Sequence, residues 1–163
     1  MRLMLDTNVT LDFMLARKPH YPDVRKLMLL GYLQEAELWV SGAQFNDLFY
    51  LLTKGGKASQ NESAKQHLRK LRKCIRVYRV GESEIDATLN STWDDLEDAC
   101  LYFSALNLKA DFIITRNQKD FALSSIKTLN ATEFFDYLRD TKSLTYEEIS
   151  IIDDEINLGT DRN

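Results

Sequence analysis

Short apolar segments alternate with longer segments of helical periodicity along most of the chain, and this alternation restricts the folds that are possible. Helical spacing of apolar residues predicts amphipathic helices in the intervals. Parallel strands joined through helices favour an α/β fold, a three-layer α/β/α sandwich with a central, mostly parallel sheet of four or five strands. The predicted strands cover residues 2–5, 38–40, 75–80, 112–115 and, as a possible fifth, 127–129.

Polar residues mark where several of the helices should begin. Thr7 and Asn8 can cap a helix that starts near Val9, and Ser41 and Thr132 have the residue type of N-caps. Pro22 suits the first turn of a helix. Further helices are predicted over residues 59–73, 82–90 and 94–108.

The chain of 163 residues, 44% of them hydrophobic, suits one domain with a proper core. We expect that domain to cover residues 1–140, with an acidic tail over 141–163 that includes a helix at 145–158. No apolar run reaches the roughly 20 residues of a membrane span, and residues 1–6 do not resemble a signal peptide. A cytoplasmic protein without membrane contact is therefore expected, with Cys74 and Cys100 as reduced, buried thiols.

Asp6 directly follows the first predicted strand, and Asn117 follows the fourth by two residues. Asp47 and Asp98 lie early in helices that neighbour these strands. Ligand sites of open α/β sheets form outside the carboxyl ends of the strands, so these side chains can meet at one edge. Clustered carboxylates repel one another unless cations neutralise them, and oxygen ligands suit Mg²⁺ or Mn²⁺. The plainer alternative is that Asp6 caps a helix and that Asp47 and Asp98 are solvated.

Four segments, in this order, resemble the motifs of the PIN-domain family of ribonucleases. Leu3–Val9 is similar to the family's opening strand, which ends in Asp-Thr/Ser-Asn, and Val40–Leu48 is similar to its Ser-then-acid helix start. Leu96–Leu101 is similar to the third motif, and Asp111–Phe121 resembles the Thr-Arg-Asp/Asn-x-x-x-Phe ending. The resemblance spans residues 1–140 and extends to the VapC-like toxins of type II toxin–antitoxin pairs.

The resemblance implies an endoribonuclease that depends on Mg²⁺ or Mn²⁺, is frequently a homodimer and is often inhibited by an antitoxin protein. It assigns catalysis to Asp6, Asp47, Asp98 and Asn117. Asp6 and Asp98 would be the principal metal ligands, and Asp47 would contribute to metal binding and orient or activate the attacking water. In-line attack by water implies products with a 5′-phosphate and a 3′-hydroxyl.

Secondary candidates surround this set. Asp94 lies four residues before Asp98 on one predicted helix face, and Asp120 can partly replace the charge that Asn117 lacks. Glu97 should flank the site, because each helical residue is rotated by about 100° from the next. Positioning roles for neighbouring side chains or phosphate oxygens are expected of Thr7, Asn8 and Thr115.

Two departures from the family pattern motivate an alternative of another class. Asp47 stands where Glu is usual, and the neutral Asn117 should weaken binding of a second metal ion. The alternative is a catalytically weak PIN-like module that binds RNA or a protein without cleavage. A haloacid-dehalogenase-like phosphatase would need Asp at position 8, where the chain has Asn8, and a receiver domain would need Asp where the third strand ends in Gly81.

The net charge of −4 does not suggest a nucleic-acid binder, but its distribution is uneven. Residues 54–79 contain nine basic residues and one acid. A positive helix flank in this segment is a candidate for RNA contact, with a solvated face or an acidic partner as alternatives. Tyr32, Trp39 and Trp93 are expected to be exposed and are candidates for a dimer interface. The flank comprises Lys65, Arg69, Arg72, Lys73 and Arg76.

Overall fold

The computed structural model describes residues 1–146, and a fully parallel, five-stranded sheet lies at its centre. The sheet order is β3-β2-β1-β4-β5, so that the first strand of the chain is the central one. The predicted α/β class and the fifth strand are thereby confirmed. The strands are β1 (Arg2–Leu5), β2 (Glu37–Ser41), β3 (Ile75–Tyr78), β4 (Phe112–Ile114) and β5 (Thr128–Leu129).

Seven α-helices are found within residues 1–146 and connect or follow the strands. They are α1 (Thr7–Met14), α2 (Tyr21–Tyr32), α3 (Gly42–Leu52), α4 (Asn61–Leu71), α5 (Glu82–Leu89), α6 (Leu96–Leu108) and α7 (Ala131–Lys142). Short 3₁₀ turns occupy Ala58–Gln60 and Gln118–Phe121.

Both faces of the sheet are covered, because β1 directs alternate side chains into two separate cores. Leu3 and Leu5 belong to one core, which is completed by apolar residues of α1, α2, α3, α4 and α7. Met4 belongs to the other, together with Leu101 of α6 and Ile113 of β4. A strand that is buried on both faces reads as a continuous apolar run, which is the reason residues 2–5 could be identified from the sequence.

The structure corrects two predicted helix caps and confirms a third. Asp6, not Thr7 or Asn8, is the N-cap of α1, so the helix begins two residues earlier than expected. Asn130, not Thr132, caps α7, because its extended backbone lets its side chain accept a hydrogen bond from the backbone N–H of Glu133. The predicted cap Ser41 forms a capping box at the start of α3.

Three aromatic residues expected on the surface are half-buried. Trp93 stacks on Tyr102 at 5.1 Å and meets the edge of Phe121 at 5.7 Å, so it packs within the second core region. Cys74 and Cys100 are free and buried, as predicted. None of the helices within residues 1–146 combines the length and the apolar composition of a membrane span. The acidic helix predicted for residues 145–158 lies outside the described residues from 147 onward.

Gly31 of α2 provides a test of the close packing between this helix and the sheet. A Cβ atom there would lie 2.2 Å from the Cys74 backbone carbonyl oxygen and 2.7 Å from Leu38 Cδ1. We expect Gly31→Ala to lower the free energy of unfolding by about 2 kcal/mol, although Ala is the better helix former. Urea denaturation followed by circular dichroism checks this. Gln66→Ala, on the exposed face of α4, is the control and should be neutral; a Gly31→Ala protein as stable as wild type would contradict the packing.

Candidate active site at the carboxyl edge of the sheet

The chain reverses its direction of sheet growth between β1 and β4. β2 and β3 are added on one side of β1, and β4 and β5 on the other. At such a switch point the loops after the two central strands diverge and leave a crevice in which ligands bind. Asp6 follows β1 and Thr115 follows β4, and the Asp6 backbone N–H donates to the Ile114 carbonyl at 3.0 Å. The two sides of the crevice are therefore joined by the sheet itself.

The Asp6 carboxylate is held by side chains from both sides of this crevice. Its Oδ2 accepts a hydrogen bond from Thr115 Oγ1 at 2.6 Å and another from Asn8 Nδ2. Thr115 Oγ1 also accepts from the Asn117 backbone N–H at 2.9 Å. Burial raises the pKa of the Asp6 carboxyl, while these hydrogen bonds and the charge of Arg116 act in the opposite direction. Thr115 and Asn8 thus restrict the orientation of the Asp6 carboxylate.

Thr7 links the site to Gln44, which sequence reasoning did not assign, and to Glu97, which it placed at the flank. Its Oγ1 donates to Glu97 Oε1 at 2.8 Å and accepts from the buried Gln44 Nε2 at 3.1 Å. Gln44 Nε2 also donates to the Leu5 carbonyl at 3.1 Å, and Gln44 Oε1 accepts from the Ser41 N–H at 2.7 Å. The capping box of α3 therefore also fixes the position of α3 against the end of β1.

Asp98 on α6 shares the site with several other acids. Burial and the negative charges of Asp6, Asp95, Asp120 and Glu97 raise the pKa of the Asp98 carboxyl to about 7. Asp95 is the N-cap of α6, and its Oδ1 accepts hydrogen bonds from the backbone N–H groups of Glu97 and Asp98 at 2.7 and 3.2 Å. Asp6 and Asp120 therefore lie near enough to Asp98 for their negative charges to influence its carboxyl.

The other predicted site residues differ in how closely they approach Asp6 and Asp98. Asp47 is half-buried on α3 and lies close enough to Glu97 for its charge to raise the pKa of that carboxyl, after burial as the main cause. Asp94 and the Asn117 side chain are exposed, and neither forms a hydrogen bond to a member of this cluster within residues 1–146. Glu97 was expected to flank the site, but its hydrogen bond to Thr7 corrects that expectation.

The donor set of this cluster fits a hard divalent cation. All of its candidate ligands are carboxylate oxygens, and the mutual repulsion that raises the Asp98 pKa would be relieved by a positive ion. Within residues 1–146, no three acidic, histidine or cysteine side chains form a ready ligand set for one ion. Mg²⁺ usually retains several water ligands and needs only one or two carboxylates, so Asp6 and Asp98 can satisfy it.

The positive flank predicted on one helix divides into two groups. Lys65, Arg69 and Arg72 line an open groove of about 360 Å³ beside Phe45 and Leu68, between α3 and α4. Arg76 instead lies on β3, pairs with Glu37 at the amino end of β2 at 3.4 Å, and stands over the Trp39 ring. The single continuous flank was wrong, because α4 ends at Leu71 and the chain then turns into β3.

Comparison with known proteins identifies the fold and the family. The family model described as PIN domain matches residues 2–119, which is more than two thirds of the chain. This chain belongs to the PIN domain family. PIN domains are typically nucleases, and the family nucleases generally use divalent metal ions. No curated protein matches the chain in sequence.

Solved structures share the PIN fold with this chain at low sequence identity. VapBC2 from Rickettsia felis, bound to a promoter DNA fragment, superposes with a TM-score of 0.62 at 17% identity, covering 80% of this chain and 98% of that chain. VapBC-1 from nontypeable Haemophilus influenzae gives 0.59 at 18% identity, with coverages of 81% and 99%. FitAcB from Neisseria gonorrhoeae gives 0.60 at 13% identity, with coverages of 80% and 98%.

The raised pKa of Asp98 in this PIN domain predicts that the ionised Asp98 carboxylate lowers the stability of the fold when no metal ion is bound. In the unfolded chain Asp98 has an ordinary pKa near 4, and in the fold its pKa is about 7. Between these values the folded protein binds the extra proton, so its stability falls as the pH rises. Asp98→Asn should therefore raise the melting temperature by a few degrees at pH 8 in EDTA, and by much less at pH 4.5.

Scanning calorimetry at both pH values measures this difference. Asp86→Asn, an exposed aspartate on α5, is the matched control and should change neither value. An Asp98→Asn protein that is less stable than wild type at pH 8 in EDTA would contradict the like-charge environment of this carboxylate.

Proposed function

We propose that this PIN domain is a divalent-metal-dependent endoribonuclease that hydrolyses RNA phosphodiester bonds, and that it acts as the toxin of a toxin–antitoxin pair. The observation that supports this most directly is the environment of Asp98 near the switch point of the sheet. Burial and the charges of Asp6, Asp95, Asp120 and Glu97 raise its pKa, and Thr115 holds the neighbouring Asp6 carboxylate. Clustered acids at this position of a PIN fold suit metal-dependent attack on a phosphate.

Asp6 and Asp98 would hold the ion, which is Mg²⁺ or Mn²⁺, and Asp47 would contribute from α3. When bound, such an ion lowers the pKa of a water molecule and neutralises the charge that develops on the phosphate. Hydrolysis forms a bond from the water oxygen to phosphorus and breaks the bond from phosphorus to the 3′-oxygen, which leaves with a proton. The products would carry a 5′-phosphate and a 3′-hydroxyl.

The remaining side chains act by orientation. Thr115 and Asn8 hold Asp6 Oδ2, so that the carboxylate cannot rotate freely. Thr7, itself held by Gln44, orients Glu97 toward the same cluster. Asp47, whose charge helps to raise the pKa of Glu97, is the candidate that orients or activates the attacking water. Asn117 and Asp120 would complete the substrate side of the site, with Asp120 as the charged member.

An antitoxin protein and a second copy of the chain are the expected protein partners. The structures with the same fold are VapBC and FitAB complexes, and the Rickettsia felis VapBC2 and FitAB structures contain DNA fragments. For this chain the partner would be an antitoxin that inhibits the nuclease. The homodimer is proposed from the same family likeness.

RNA cleavage with defined variants tests the nuclease. We expect wild type to cut a pool of structured RNAs with Mg²⁺ or Mn²⁺ and not with EDTA. Asp6→Asn and Asp98→Asn should each lower the cleavage rate by about 100-fold or more, a loss comparable to removal of a preorganised charged group elsewhere. Asp86→Asn on α5 is the control with the same chemical change and should cleave normally. End-group analysis that finds a 2′,3′-cyclic phosphate would exclude hydrolysis by in-line water attack.

A catalytically weak binding module remains the second candidate, favoured by the neutral, exposed Asn117. In that case RNA binds without cleavage at any metal concentration tested. Asn117→Asp would then be expected to tighten Mn²⁺ binding and to create measurable cleavage, since it restores an acid to the fourth family position. Isothermal titration with Mn²⁺ and the cleavage assay together distinguish this candidate from an active nuclease.

The groove beside α4 is the proposed path for the RNA backbone. Lys65 and Arg69 are exposed there, whereas Lys73 and Arg76 line a separate pocket around Cys74 and Glu37. The double variant Lys65→Gln/Arg69→Gln should reduce the slope of log binding constant against log salt by about 1.4, which corresponds to two lost phosphate contacts on a single strand. Lys73→Gln/Arg76→Gln removes the same charge and should leave the slope unchanged. Equal effects of the two variants, measured by fluorescence anisotropy, would argue against this path.

A further inference from the structure

Asp12 on α1 is a buried carboxylate with few partners. Its side chain is 0% exposed, and neither carboxylate oxygen accepts a hydrogen bond within residues 1–146. Burying a charge in this way is costly, and a buried ion pair is on balance a weak source of stability. Replacing both partners of a buried ion pair by well-packed apolar residues is often neutral or stabilising. The presence of an acid here therefore calls for a reason other than stability.

The nearest cation to Asp12 is Arg116, in the segment that follows β4. Arg116 Nε lies 3.0 Å from Asp12 Oδ2, whereas Arg17 Nη1 is 4.0 Å from Oδ1 and belongs to a more exposed side chain. Burial raises the pKa of the Asp12 carboxyl, and the charge of Arg116, followed by those of His20 and Arg17, opposes this rise. Arg116 is thus the main counter-ion of Asp12.

The backbone of Arg116 is part of the candidate active site. Its N–H donates to Asn8 Oδ1 at 3.3 Å, and its neighbour Thr115 donates to the Asp6 carboxylate. About a third of the Arg116 side chain, 34%, is exposed, although its partner Asp12 is fully buried. Its two terminal nitrogens donate no hydrogen bond to residues 1–146. Asp12 therefore holds one edge of the guanidinium and leaves the other edge open to a ligand.

Arg116 lines a cleft of about 620 Å³. Asp120, which contributes to the raised pKa of Asp98, lines the cleft, and Lys119 supplies a second positive charge. Glu133 also lines it, but this carboxylate accepts hydrogen bonds from Gln118 and from the Asn130 backbone N–H. Two cations and the exposed Asn117 amide beside a nuclease site are suited to an anion such as a nucleic-acid phosphate.

We propose that Arg116 binds a backbone phosphate of the RNA strand in this cleft, adjacent to the phosphate that is cleaved, and that Asp12 is the positioning residue for its guanidinium. The inference rests on the proposed ribonuclease function and adds a substrate contact to it. Arginine suits this role because its planar group can bind a carboxylate on one edge and a phosphate on another.

RNA binding without cleavage tests the contact. In the Asp98→Asn background, anisotropy with a short fluorescein-labelled single-stranded RNA measures affinity at several salt concentrations. Arg116→Gln should weaken binding about tenfold and lower the salt slope by about 0.7, the value for one phosphate on a single strand. Lys142→Gln, in the last turn of α7, removes an equal charge and should change neither quantity.

Two conservative variants separate positioning from charge. Arg116→Lys should keep the salt slope but lose several-fold in affinity, because lysine cannot bind two partners with a planar group. Asp12→Asn should have the same pattern, since it leaves the charge of Arg116 in place but loosens its orientation. Circular dichroism verifies the fold of each variant. In the cleavage-competent protein, both changes should raise KM more than they lower kcat.

The outcomes distinguish this contact from the nuclease function. Wild-type affinity and salt slope in a folded Arg116→Gln protein would overturn the phosphate contact, whatever its cleavage rate. A wild-type protein that binds RNA but never cleaves it would overturn the nuclease proposal and leave the binding result for Arg116 to be judged independently. If Asp12→Asn does not fold, Arg116→Lys and Arg116→Gln still decide the question.

Discussion

The short hydrogen-bonded contact between Asp6 and Thr115 is the interaction on which the rest of the site depends. It joins the ends of β1 and β4, the two strands between which the sheet changes its direction of growth. An aspartate there would be costly to bury without such donors. With them, the carboxylate is fixed at the edge of a fully parallel sheet, and α6 can bring Asp98 toward the same point. The position of Asp6 thus follows from the sheet order and from two donors, the Thr115 hydroxyl and the Asn8 side-chain amide.

Stability and function are opposed at this edge. Buried apolar residues on both faces of β1 stabilise the fold, whereas the acids beyond its end repel one another and raise the pKa of Asp98 to about 7. Asp12 adds a second buried charge only a few residues away. Natural proteins tolerate such unfavourable groups where a ligand later relieves them. A bound cation would neutralise the acids around Asp98. The buried Asp12 would position Arg116 for a phosphate.

The sheet and the principal acids could be predicted because their signals are local. Leu3, Met4 and Leu5 form a continuous apolar run followed by Asp6, and a second apolar run precedes Thr115. Gln44 and Glu97 could not be found in this way. Glu97 meets Thr7 across 90 residues of sequence, and helix geometry alone directed it away from Asp98. Which way a helix face turns depends on how α6 packs on the sheet, and the apolar pattern of α6 does not specify this to within one residue.

The basic segment illustrates the same limit at larger scale. Lys65, Arg69, Arg72 and Arg76 have helical spacing in the sequence, but α4 ends at Leu71 and Arg76 belongs to β3. Lys65, Arg69 and Arg72 share a groove with Phe45 of α3, whereas Arg76 pairs with Glu37 at the amino end of β2. The basic residues of α4 and the one on β3 therefore belong to different surfaces. Electrostatic attraction between exposed groups is screened within about 10 Å. The basic residues of a segment can therefore be related to a substrate only after their positions in the fold are known.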